Sequence, residues 1–98
     1  MIEIKNEKRV VDIINSNGTL SLTGNITVQD ERRTYAHMEI TDGTDIVYYD
    51  VDSSNPNSEV ESLRGKKELK EEARTFALAT LTEFDATYLN PVTTPKGK

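Results

Sequence analysis

The sequence predicts an α+β fold: an antiparallel meander of four strands packed on one face by a single long C-terminal helix. Three observations carry this. Apolar residues recur with period two over residues 8–51, turn dipeptides punctuate that stretch, and the period becomes helical afterwards. The chain has 98 residues, 35% of them hydrophobic, which suits one small domain over 1–90 with a tail over 91–98.

The clearest strand covers residues 19–28, where Leu20, Leu22, Ile26 and Val28 alternate with Thr, Ser and Asn. Gly24 falls in an inward slot and marks either a bulge or a close approach of the helix backbone. Asn17-Gly18 and Asp42-Gly43 read as two-residue type I′ turns, since both supply positive φ. The first turn sets Ile13 opposite Leu22 and Val11 opposite Gly24. The second sets Met38 opposite Val47 and Ala36 opposite Tyr49, so Ala36, Met38, Ile40, Val47, Tyr49 and Val51 line the buried side. Residues 29–33, with Arg32 and Arg33, read as a charged, solvated loop between the two hairpins. Ile2 and Ile4 offer a short fifth strand over residues 2–5.

Beyond the polar run 52–57, Val60, Leu63, Leu69, Ala73, Phe76, Ala77, Leu81, Phe84 and Tyr88 follow helical spacing. Ser58 with Glu61 forms a capping box for a helix starting there, and Pro56 offers a start one turn earlier. Gly65-Lys66 marks a break, the helical pattern is strong over 66–84, and Asn90-Pro91 ends it. Phe76, Leu81 and Phe84 are expected to pack on Leu20, Leu22, Ile26, Met38, Val47 and Tyr49.

Much chemistry is excluded by composition. With no Cys there is no thiol catalysis, disulfide framework or cysteine-ligated metal. No phosphate-binding glycine loop, nucleophile elbow or zinc-protease motif occurs, and a lone His37 makes no two-histidine metal site. No apolar stretch is long enough for a signal-peptide core or a membrane span, and the expected setting is the cytoplasm. The sequons at Asn17 and Asn25 then read as ordinary turn and strand residues. The formal charge of −5 disfavours nonspecific binding to nucleic acid or anionic membrane.

The function expected is that of a non-enzymatic protein-binding or assembly module without cofactor or metal; its size and plain acidic composition suit an accessory protein of a bacterium or phage. Its candidate binding surface is the polar face of the second hairpin, where Tyr35, His37, Glu39, Ile46 and Tyr48 lie beside Asp50. The alternative is a nucleic-acid-binding protein using Arg32, Arg33, Lys66, Lys67 and Lys70, although Glu59, Glu61, Glu68, Glu71 and Glu72 dilute the helical set. Oxygen side chains between Asp50 and Glu61 partly match a calcium loop, but Asn55 replaces the turn glycine and a strand precedes the segment. A strand-to-helix connection explains the same residues without an ion. One helix leaves a sheet face and two edges uncovered, and Val10, Ile14, Ile46, Leu78 and Leu89 fall outside the expected core, so a homodimer is expected.

Overall fold

The structure, a computed structural model, describes residues 8–55 and 57–89. Five strands form one antiparallel sheet in the order β1-β2-β3-β4-β5: Lys8–Ser16, Ser21–Gln29, Arg32–Thr41, Ile46–Asn55 and Ser58–Gly65. The helix α1, Lys67–Phe84, follows at once and widens into a π-helical turn over Asp85–Leu89. The α+β meander with one C-terminal helix is therefore the fold. The expected strand at residues 2–5 and the tail at 91–98 lie outside the described residues.

The fifth strand comes from a segment that reads as helix in the sequence. Val60 and Leu63 have helical spacing, yet Val60 is 63% exposed on the open side of the sheet, while Leu63 faces the core opposite Tyr49. Ser58 and Glu61 form no capping box. Ser58 pairs with Asn55 across the hairpin, and the Glu61 carboxylate receives two bonds from Arg74 on α1, at 2.6 and 2.9 Å. Gly65 is where strand becomes helix. Its φ of +129° is one that residues with side chains rarely adopt. A Cβ there would collide with the Ile46 carbonyl and the Val47 Cα on β4. The helix thus starts at Lys67, with Lys66 as its cap. The break at Gly65-Lys66 is a change of element within a chain that reverses direction.

Both hairpin registers differ from expectation by two residues, so every side chain keeps its face. Ile13 pairs with Gly24, Val11 with Ile26, Met38 with Tyr49 and Ala36 with Val51. The reason lies in the turns. The Asn17 Oδ1 accepts from the amides of Thr19 and Leu20 at 2.9 and 2.7 Å, and the Asp42 Oδ1 accepts from Thr44 and Asp45 at 2.9 and 2.8 Å. These side-chain bonds stabilise longer loops between the strand ends Ser16 and Ser21, and Thr41 and Ile46. A two-residue turn does occur, at Asp30-Glu31, where φ is +56° and +64° without a glycine. The expected loop at 29–33 is therefore a tight turn, and Arg32 and Arg33 belong to β3.

A bulge follows immediately. Thr27 pairs with Tyr35 but Val28 pairs with Arg33, which leaves Thr34 as the extra residue. Strict alternation would turn Arg33 outward with Tyr35. The bulge instead turns it toward the helix side, where it donates to Asp85 at 3.0 and 2.9 Å. Gly24 is neither bulged nor under the helix. A Cβ there would strike the His37 carbonyl and the Met38 Cα on β3, so the close approach is strand to strand.

The core lies between the sheet and α1. Leu20, Leu22, Ile26, Met38, Ile40, Val47 and Tyr49 are buried together with Leu69, Ala73, Phe76, Ala77, Leu81 and Phe84, as their periods require. Thr80, also buried, donates to the Phe76 carbonyl at 2.8 Å and accepts from the Asn15 amide at 2.9 Å, tying α1 to β1 without an orphaned hydroxyl. No helix among the described residues is long and apolar enough to cross a membrane.

Candidate functional site

The side of the sheet away from α1 is uncovered, and strand register arranges its residues in rows. One row runs Asp12, Asn25, His37, Asp50, Ser62; the next runs Ile14, Thr23, Glu39, Tyr48, Arg64. Tyr35 lies across from Asp52 in the row beyond. Neighbouring strands bring side chains of one row within about 5 Å and diagonal neighbours in adjoining rows within about 7–8 Å, close enough for long and aromatic groups to touch.

At the centre of this face stands the half-buried Asp50 carboxylate. Its Oδ1 accepts from the Tyr35 hydroxyl at 3.0 Å and meets the His37 Nδ1 at 2.5 Å, while its Oδ2 lies 3.4 Å from the Arg64 guanidinium. An ionised carboxylate only accepts, so the Nδ1 carries the proton and the Nε2 looks toward Glu39, 3.9 Å away. The imidazole lies near the Tyr48 ring, with centroids 6.3 Å apart and planes 20° from parallel. The Arg64 guanidinium sits 5.2 Å above that ring from the other side of the cluster. Burial alone would push Asp50 up, but the bonds from His37, Tyr35 and Arg64 outweigh it and hold the carboxyl below its ordinary range. Tyr35 is pushed up, by desolvation and by its bond to Asp50.

The expected surface residues Tyr35, His37, Glu39 and Tyr48 therefore come together. Ile46 does not join the hydrogen-bonded group. It is 43% exposed and lines a shallow hollow at the sheet's end with Ser21, Thr23, Glu39 and Thr41. Asp50, expected beside this set, is its hub. One member was missing from the expected set. Arg64 enters because the segment 58–65 is a strand, and its helical spacing hid that.

The basic residues of the alternative site do not converge. Arg32 donates to the carbonyls of Ser53 and Ser54, both at 2.7 Å, and Arg33 is held by Asp85. The bond to Asp85 raises the Arg33 pKa despite burial, keeping the group charged. Lys66, Lys67 and Lys70 lie at the opposite end of the sheet, beside the β3–β4 loop, because β5 runs the full length back before α1 starts. The calcium-loop match dissolves similarly. Asp50 faces the open side and Glu61 the helix side, where Arg74 occupies it, so one ion cannot bridge them. No group of acidic or histidine side chains among the described residues is arranged to hold a metal.

Comparison with protein families, with curated proteins and with solved structures finds no match for this chain.

Proposed function

We propose that this chain is a non-enzymatic protein-binding or assembly module, acting in the cytoplasm, whose recognition surface is the open sheet face around Tyr35, His37, Glu39, Tyr48 and Asp50. The observation that carries the reading is the Asp50 carboxylate shared by Tyr35, His37 and Arg64. Such sharing holds the Tyr35 ring, the His37 imidazole and the Arg64 guanidinium in fixed orientations on a rigid sheet, so little side-chain freedom is lost when a partner docks.

Two features favour binding over catalysis. The His37 Nε2, the nitrogen that would take a proton from a nucleophile, faces Glu39 at 3.9 Å, and Glu39 has no hydroxyl or thiol proton to give. The face is also open, where general acid–base chemistry works best in a site that excludes water. The acidic composition supports a protein partner over nucleic acid, and so does the internal pairing of Arg32 and Arg33.

The test is affinity capture from the source cell with the wild-type chain and with Tyr48→Asp, a half-exposed position whose replacement leaves the core intact. A protein retained by the wild type and lost with Tyr48→Asp supports the reading. Salt-sensitive retention of nucleic acid by both chains contradicts it.

A further inference from the structure

We infer that the chain forms a twofold dimer by antiparallel pairing of its β1 strands, joining two five-stranded sheets edge to edge. The β1 edge borders the open face through Val10, Asp12 and Ile14 but includes none of the residues given the recognition role, so the inference does not rest on that role.

The two edges of the sheet are unequal. β5 carries Glu59 and Glu61 turned to the helix side, a register irregularity against β4, and Gly65 at its end. Charges pointing inward and irregular pairing are what protect an edge from further pairing. β1 has one inward charge, Arg9, whose guanidinium lies 5.6 Å over the Tyr88 ring near the strand's end, and none of the irregularity. It pairs with β2 through nine consecutive positions, and no described strand lies on its other side. The Asn17 amide donates to the Leu20 carbonyl at 3.1 Å, which sets the phase of the hydrogen-bond ladder. Odd residues of β1 bond to β2, and Val10, Asp12 and Ile14 turn their amides and carbonyls to the free edge. Val10 and Ile14 are also 62% and 82% exposed.

The strand is chemically palindromic. Val10-Val11-Asp12-Ile13-Ile14 reads the same in both directions by residue class, and Asp12 is the midpoint of Lys8–Ser16. Twofold pairing about Asp12 uses the whole strand, sets Val10 against Ile14 on the open face and Val11 against Ile13 on the helix side. β-branched residues pair well across strands. Shifting the register by two in either direction sets Asp12 against Ile14 or Val10 and shortens the overlap. Lys8, Arg9 and Asp12 give β1 a charge of +1 in a chain of −5, so the edge itself adds little to the like-charge repulsion between two acidic chains. Beneath the edge, a groove of about 270 Å³ between β1 and the end of α1 is lined by Val11, Ile13, Phe84 and Tyr88. The inward side chains of an added strand would lie along its mouth.

The central Asp12 meets its own copy, and like charges directly opposite are unfavourable. This yields a variant that strengthens the dimer. Sedimentation equilibrium of the full chain is expected to show reversible dimerisation from the 11.0 kDa monomer. Asp12→Asn tightens it at least about threefold, Ile14→Lys weakens it at least about tenfold, and Tyr48→Asp leaves it unchanged. In the wild type, amide exchange at Val10, Asp12 and Ile14 slows as concentration rises, a readout that holds even where a variant fails to fold. Monomer throughout for both the wild type and Asp12→Asn would overturn the inference, as would a dimer that Tyr48→Asp dissociates and Ile14→Lys does not.

Discussion

At the scale of single residues, Asp50 organises the open face. Its carboxyl is held below the ordinary range, because the bonds from His37, Tyr35 and Arg64 outweigh the effect of burial. Glu61 is lowered as well, first by the hydrogen bonds from Arg74. A group that loses its proton more readily in the folded state adds stability above its unfolded pKa, and that stability is lost as pH falls through the folded value. Thermal stability should therefore decline as pH drops below about 4, where unfolded carboxylates begin to take up protons. Asp50→Asn should flatten that decline, which thermal melts at a series of pH values would show; an unchanged slope contradicts the role given to Asp50. Its position on the polar face was legible in the sequence because alternation places it there. Tyr35 and His37 were legible beside it on the same face, but Arg64 was not, since it reaches Asp50 only across a strand pairing that no local pattern encodes.

At the scale of elements, the turns show where local chemistry is ambiguous. Asn17-Gly18 and Asp42-Gly43 have the composition of two-residue turns, yet the carboxamide and carboxylate oxygens bond two amides ahead and open the loops. The shift of two preserved every face, so the core was readable although the pairings were not. Glu31, at φ +64°, occupies the left-handed region, which costs roughly 1–2 kcal/mol for a residue with a side chain. Glu31→Gly should stabilise the protein by about 1 kcal/mol, raising Tm by roughly 4–8 °C for a domain of this size. A melt that shows a lower Tm would mean that the side chain contributes more than its backbone strain costs. The segment 58–65 was misread for a different reason. Val60 and Leu63 are three apart, which puts them on one face of a helix but on opposite faces of a strand, and only pairing with the free edge of β4 turns Val60 outward.

At the scale of the whole molecule, one helix on one side of a sheet divides the chain into a buried layer and an open one. Phe76 belongs to the first, 8% exposed among the aromatic and aliphatic residues of the core. Its replacement by Ala should cost about 3–5 kcal/mol in denaturant unfolding, and a loss under about 1 kcal/mol would reject this packing. The open layer is where recognition is proposed, and it retains polar and aromatic residues that the core does not need. The most direct measurement is a titration of isotope-labelled chain with the captured partner, followed by amide and aromatic chemical shifts. Perturbations concentrated at Tyr35, His37, Glu39, Tyr48 and Asp50, with Lys67, Glu71 and Leu78 unmoved, are the predicted result. Perturbations gathered on the exposed side of α1, with the open face unmoved, would contradict it.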